Sequence, residues 1–260
     1  MSRRTGLILD FGGVLTTSVA ACALAFDRRA GLPEGTFLSV VAKDPQGAAF
    51  YADLERGAIT QVQWNECTAA LLGIDGTNLL GRVLEDLHPE PSVIAAAQAA
   101  RAAGVKVGIF SNSLGAEPYD VYGGYDLAAN YDAVLISEDH RMRKPDPEFY
   151  RIMLGLMELP GEACVFVDDT ARNLPPAEEL GIVAILAENP ADTIAQMEAT
   201  LGIPLTGQVW TDPQSDCGSA TRLRIRHVPE RDGGLPAAPA VTGFPGPGRP
   251  AKPYSTQQGA

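Results

Sequence analysis

Five short aliphatic runs constrain this 260-residue chain more than any other feature: LILD at 7–10, VKVGIF at 105–110, AVLI at 133–136, ACVFV at 163–167 and IVAIL at 182–186. Each is continuously apolar rather than alternating, the pattern of a strand covered on both faces. Helical patterns lie between them. PSVIAAAQAARAAG places Pro91 in a first turn and Gly104 at a C-terminal cap, and PEFYRIMLGLM begins at Pro147. Strand alternating with helix predicts an α/β fold built on a doubly wound parallel sheet, Rossmann-like in plan.

Residues 17–90 break the alternation. They hold no convincing strand but several helical stretches, among them TQVQWNECTAALLG with Thr60 as N-cap. An inserted helical subdomain, or cap, is therefore expected over 17–90, with the α/β core formed by 1–16 and 91–205. Its joints would be the Gly12-Gly13 turn, where a glycine can take positive φ, and the stiffer HPEP segment, His88 to Pro91. Trp64, Phe50 and Tyr51 are expected in the cap's own core, and Arg56 in the LERGAIT turn is the cap side chain that could reach a substrate. From residue 206 to 260 the composition shifts: eight of the 20 prolines and eight of the 27 glycines fall there, with six cations against four carboxylates, which predicts a disordered tail.

A net charge of -12 argues against nucleic-acid or anionic-membrane partners, because an acidic surface repels polyphosphate at long range. An anionic substrate would have to be held locally, by a metal ion, a lysine or converging N–H groups. Cys22, Cys67, Cys164 and Cys217 are widely spaced, so neither a zinc site nor a disulfide framework is expected, and a reducing, cytoplasmic setting suits the chain. Arg3 and Arg4 precede an apolar stretch like that of a signal peptide, but Asp10 interrupts it, and no run reaches the length of a membrane span.

In an open parallel sheet, ligands bind beyond the carboxyl ends of the strands. Four of the five runs end in reactive groups: Asp10 after the first, Ser111 and Asn112 after the second, Lys144 in the loop past the third, and Asp168 with Asp169 after the fourth. Taken singly, each has a plain structural reading as a turn, a solvated loop or a helix cap. Together they bring carboxylates, a hydroxyl and an amine to one edge of the sheet. Clustered carboxylates need a cation, and oxygen-only ligands favour Mg²⁺. The amine and hydroxyl suit a phosphoryl group, which a carboxylate can attack to form an acyl phosphate.

The ordered set LILDFGGVL, GIFSNS, RKPDPEFY and VFVDDTARN resembles the haloacid dehalogenase superfamily, specifically its members with a helical cap inserted after the first motif, over about residues 5–202. The resemblance implies Asp10 as nucleophile, Ser111 and the backbone of Asn112 as phosphoryl holders, and Lys144 as its neutralising cation. It also implies Mg²⁺ held by Asp10, the carbonyl of Gly12, Asp168 and Asp169, and a small phosphorylated metabolite as substrate. One position departs from that pattern. Where phosphatases of the family usually carry a second Asp that protonates the leaving group, this chain has Gly12. Some phosphatases of the superfamily share a non-acidic residue there, together with a double Asp followed by Asn, as Asp169 and Asn173 stand here.

Three other readings compete. A dehalogenase shares the nucleophile and the lysine, but the paired Asp168-Asp169 argues against it. A phosphorylatable receiver domain uses similar groups in another order and has no cap. A degenerate member would bind a phosphorylated ligand without turnover, and Gly12 is its support. The substrate and the oligomeric state are not legible in the sequence.

Overall fold

The computed structural model describes residues 4–206. The tail expected from residue 206 onward lies, but for its first residue, outside the described residues. Five parallel strands, β1 (Gly6–Leu9), β2 (Lys106–Ser111), β3 (Ala133–Ile136), β4 (Cys164–Asp168) and β5 (Val183–Leu186), form one sheet in the order β3-β2-β1-β4-β5. The sequence runs outward from β1 to β3 and then returns to the far side of β1 for β4. The crevice between β1 and β4 is therefore the topological switch point, where such sheets bind ligands. Register aligns Leu9 with both Ile109 and Val167, so Asp10 and Asp168 emerge side by side.

Five helices are inserted between β1 and β2: α1 (Val19–Ala30), α2 (Thr36–Ala42), α3 (Pro45–Glu55), α4 (Gln61–Leu72) and α5 (Leu79–Val83). This is the helical cap. α4 starts at a full capping box, with Thr60 and Gln63 exchanging hydrogen bonds, and stops at Gly73 in the left-handed region (φ 68°). Within the cap Trp64 is completely buried and meets Phe37 and Tyr51, and the buried cap residues run on into the cluster that covers one face of the sheet. The chain enters and leaves the cap side by side. Thr16 and Pro89 form an isolated antiparallel bridge, Thr17 N donates to His88 O (2.8 Å) and Glu90 N donates to Leu15 O (2.8 Å).

After the cap follow α6 (Pro91–Ala102), α7 (Leu127–Asn130), α8 (Ser137–His140), α9 (Pro147–Met157), α10 (Pro175–Glu179) and α11 (Pro190–Leu201). α6 and α11 cover one face of the sheet, which Leu7, Leu9, Val107, Ile109, Val165 and Val167 fill. α9 and α10 cover the other, filled by Ile8, Phe110, Phe149, Tyr150 and Phe166. Both faces are buried, which is why the strands read as unbroken apolar runs. No helix among the described residues is long and apolar enough to cross a membrane.

Candidate active site

Asp10 is the first residue past β1, and its backbone N–H donates to Val167 O (2.9 Å), tying it to the end of β4. Its Oδ1 accepts from Phe11 N (2.7 Å), so the carboxylate is turned and fixed by its own following peptide. The next turn needs a glycine at Gly13, not Gly12. Gly13 has φ 74°, and a Cβ there would collide with the carboxylate of Asp169. Gly12 lies outside the positive-φ region, so of the Gly12-Gly13 turn only the second residue takes positive φ, and a Cβ on Gly12 would meet only Val19 Cγ2, at 3.1 Å.

Lys144 is fully buried, and its Nζ stands 2.9 Å from Asp10 Oδ1 and 2.6 Å from Asp168 Oδ2. Its ammonium lies over Phe110 and Phe166, at 5.3 and 5.5 Å from the ring centroids. Burial works against its charge, but Asp10 and Asp168 outweigh burial and hold the lysine above its usual range. Asp168 is the most heavily hydrogen-bonded of the three carboxylates. Besides Lys144 it accepts from Thr170 N (2.8 Å) and from Asn173 Nδ2 at both oxygens (3.0 and 3.1 Å). Asp169, partly exposed, accepts only the Thr170 hydroxyl at Oδ1 (3.0 Å) among the described residues.

Ligand oxygens of Asp10, Asp168 and Asp169 lie within 4.8 Å of one another. Three carboxylates around one ammonium leave the cluster short of positive charge. Burial pushes Asp10 above the usual carboxylate range, with Asp168 adding to the rise and Lys144 opposing it, and Asp169 is likewise raised by burial. Asp10 Oδ2 and Asp169 Oδ2 accept no hydrogen bond among the described residues. An all-oxygen donor set with open lone pairs and unbalanced charge fits a hard divalent cation.

Ser111 closes β2 and is buried, its hydroxyl accepting from Tyr122 OH (2.9 Å). Tyr122 comes from the long β2–β3 connection and packs edge-on against Phe11, with ring centroids 4.7 Å apart. Asn112 works through its side chain: Oδ1 accepts from Lys144 N (2.8 Å), and Nδ2 donates to Lys144 O (3.2 Å). The amide thus clasps the backbone of the lysine. Asp10, Ser111, Asn112, Lys144, Asp168 and Asp169 therefore meet at the carboxyl edge of the sheet.

Other participants were not anticipated. Glu55, at the end of α3, reaches the core, where its Oε1 accepts from Asn112 Nδ2 (3.3 Å) and its Oε2 pairs with Arg143 Nε at 2.7 Å. Arg56, which could have reached a substrate, caps the end of α3 and pairs with Asp53 of that helix, 3.8 Å away. Tyr122 and Glu55 carry no local signal, since each is one polar residue in an unremarkable segment.

The model of the haloacid dehalogenase-like hydrolases matches residues 5–181, which takes in both halves of the carboxylate cluster and the whole cap. The chain belongs to this family. Among curated proteins, the chain is 24% identical to mouse Acyl-CoA dehydrogenase family member 10 over 207 residues, 76% of the chain but only 19% of that protein. It thus spans about a fifth of that relative's length. It is 23% identical to the sesquiterpene phosphatase astK of Aspergillus oryzae over 202 residues, covering 75% of the chain and 95% of the relative. Among solved structures, a HAD family enzyme from Bacteroides thetaiotaomicron, in complex with magnesium and inorganic phosphate, superposes with TM-score 0.55 at 19% identity. That match covers 72% of this chain and 96% of the other. At such identity the likeness is one of fold.

Proposed function

We propose that this hydrolase is a Mg²⁺-dependent phosphatase that cleaves small phosphate monoesters through an aspartyl-phosphate intermediate on Asp10. The observation that carries the reading is Lys144 Nζ set between Asp10 (2.9 Å) and Asp168 (2.6 Å), with Asp169 completing the cluster at the β1/β4 switch point. Asp10, the Gly12 carbonyl, Asp168 and Asp169 would hold the ion, whose charge would neutralise the phosphoryl oxygens. The phosphatase name of the Aspergillus oryzae relative and the magnesium and phosphate of the Bacteroides thetaiotaomicron structure support the same reading.

In this scheme Phe11 N and Lys144 fix Asp10 Oδ1 and leave Oδ2 open to attack phosphorus. The Oδ2–P bond forms as the ester P–O bond breaks, and the leaving oxygen departs with the bonding pair. Ser111 and the backbone of Asn112 would bind the phosphoryl oxygens, and Lys144 would balance their charge. Water then attacks phosphorus as the Oδ2–P bond breaks and gives its proton to solvent, so that phosphate is released and the Asp10 carboxylate restored, while the departed oxygen takes its proton from solvent. Gly12 supplies no proton to the leaving oxygen, so a step worth about 10² to 10⁴ in rate lacks its usual donor.

A second reading rests on that same glycine: the site binds a phosphorylated ligand without turnover. The paired Asp168-Asp169 leaves the dehalogenase reading the least supported. Purified protein with Mg²⁺, screened against sugar phosphates, nucleotides and other phosphorylated small metabolites for phosphate release, separates them. Release that EDTA abolishes is the expected result. Saturable binding of a phosphorylated compound with no phosphate released would establish the second reading instead.

A further inference from the structure

Three loops of the core meet one residue of the cap. The Glu55 backbone carbonyl accepts the Ser137 hydroxyl, which in turn accepts from Ser113 N (2.7 Å). The Glu55 carboxylate takes Asn112 Nδ2 (3.3 Å) on one oxygen and stands 2.7 Å from Arg143 Nε on the other. Asn112 and Ser113 follow β2, Ser137 follows β3, and Arg143 directly precedes Lys144. Glu55 is buried, and burial pushes its carboxyl upward against the opposing pull of Arg143. The Arg143 Nε and Glu55 Oε2 atoms are enclosed without an aligned hydrogen bond, so that contact rests on charge alone.

The Asn112 contact is the consequential one. A single amide carries three bonds: Oδ1 from Lys144 N, and Nδ2 to Lys144 O and to Glu55 Oε1. An amide side chain can rotate about its last torsion and exchange its oxygen and nitrogen. The Lys144 N–H and C=O already select the orientation with Oδ1 on the N–H, and an acceptor at Glu55 Oε1 reinforces it, because the flipped amide would turn its oxygen toward that carboxylate as well. The side chain that clasps the Lys144 backbone is thus itself braced from across the cap–core boundary, 57 residues earlier in the chain.

We propose that Glu55 is a positioning residue: by fixing the Asn112 amide it sets Lys144 against Asp10 and Asp168, so that the phosphoryl-binding groups are fully ordered only while the cap is docked. The activity part of this inference rests on the phosphatase reading above, in which Lys144 neutralises the phosphoryl group. The geometric part does not.

Two substitutions in the full chain divide reach from charge. Glu55→Gln keeps an oxygen at the right distance for Asn112 and loses the charge facing Arg143. Glu55→Asp keeps the charge and withdraws the oxygen by one methylene. Backbone hydrogen exchange at Lys144, with the amides of residues 7–9 as an internal control of the core, reads the clasp directly. The expected result is faster exchange at Lys144 in Glu55→Asp and near-native exchange in Glu55→Gln, with residues 7–9 unchanged in both.

With an aryl phosphate and Mg²⁺, kcat should fall about tenfold or more in Glu55→Asp, with KM moving less, and Glu55→Gln should recover most of it, because displacing a positioned group by about 1 Å is costly to rate. Equal exchange at Lys144 in all three proteins would overturn the proposal, as would Glu55→Gln behaving like Glu55→Asp, or faster exchange in Glu55→Asp with unchanged kcat. If the wild type turns over no phosphate ester, the phosphatase reading fails, and the exchange comparison still decides whether Glu55 orders Lys144.

Discussion

Asn173 donates through Nδ2 to both carboxylate oxygens of Asp168, at 3.0 and 3.1 Å. Both residues are buried, and Lys144 approaches the same carboxylate, so Asp168 is held in a fixed position beside the lysine. Removing a hydrogen bond to a buried charge costs about 1.5–3 kcal/mol. Asn173→Ala should lower unfolding free energy by that order in denaturant titrations. Asn173→Asp should cost more, because it sets a second negative charge against Asp168. Equal midpoints for the wild type and both variants would show that Asp168 does not depend on Asn173.

Asp10 and Lys144 face each other at 2.9 Å but have different tasks in the proposed chemistry. Asp10→Asn removes the nucleophile and should leave no measurable phosphate release. Lys144→Ala removes only charge balance and should reduce kcat/KM by about 10² or more, with some residual turnover. A folded Asp10→Asn protein retaining more than a few per cent of activity would take Asp10 out of that role.

Three carboxylates around one ammonium should make the protein respond to divalent cations even without substrate. Mg²⁺ should raise the melting temperature of the wild type, because an ion that binds the folded state alone stabilises it by mass action. EDTA should abolish turnover and Mg²⁺ restore it. In Asp169→Asn the Mg²⁺-dependent rise should shrink. Full activity after exhaustive chelation would favour metal-free chemistry.

The two adjacent glycines should behave oppositely. At Gly13, with φ 74° and the Asp169 carboxylate where a Cβ would go, Gly13→Ala should destabilise the protein by about 1 kcal/mol or more and disturb the cluster. At Gly12, a side chain needs only a small shift of Val19. Gly12→Asp should therefore fold, and its carboxyl should help poor leaving groups more than good ones. The ratio of kcat/KM for an aryl phosphate to that for an alkyl phosphate should be large in the wild type and smaller in Gly12→Asp. An unchanged ratio in the folded, Mg²⁺-loaded variant would mean that another group already supplies the proton.

Tyr122 OH donates to Ser111 Oγ at 2.9 Å, which leaves the serine's own proton to point elsewhere. Tyr122→Phe keeps the ring on Phe11 and removes only that bond. The expected effect is a KM for phosphate esters raised by several-fold with little loss of stability. A KM equal to that of the wild type would show that Ser111 is held without Tyr122.

Much of this was written locally. AVLI at 133–136 is β3 and PEFYRIMLGLM is α9, residue for residue, and Thr60 caps α4 as its spacing predicts. Apolar periodicity, caps and prolines act over a few residues, so the order of elements, the inserted cap and the reactive strand ends were all determined by the sequence itself. What only the tertiary structure decided are the contacts between segments far apart in the chain. Both oxygens of Asp168 are claimed by Asn173, and the Asn112 amide clasps the Lys144 backbone and meets Glu55. The cap shows why. Glu55 ends α3 and Arg56 caps it, and neighbouring residues of a helical turn point about 100° apart, so how the end of α3 faces the core put Glu55, not Arg56, against Arg143. Similarly, the approach of Asp169 to the loop after β1, not the composition of the glycine pair, placed the obligatory glycine at 13 rather than 12.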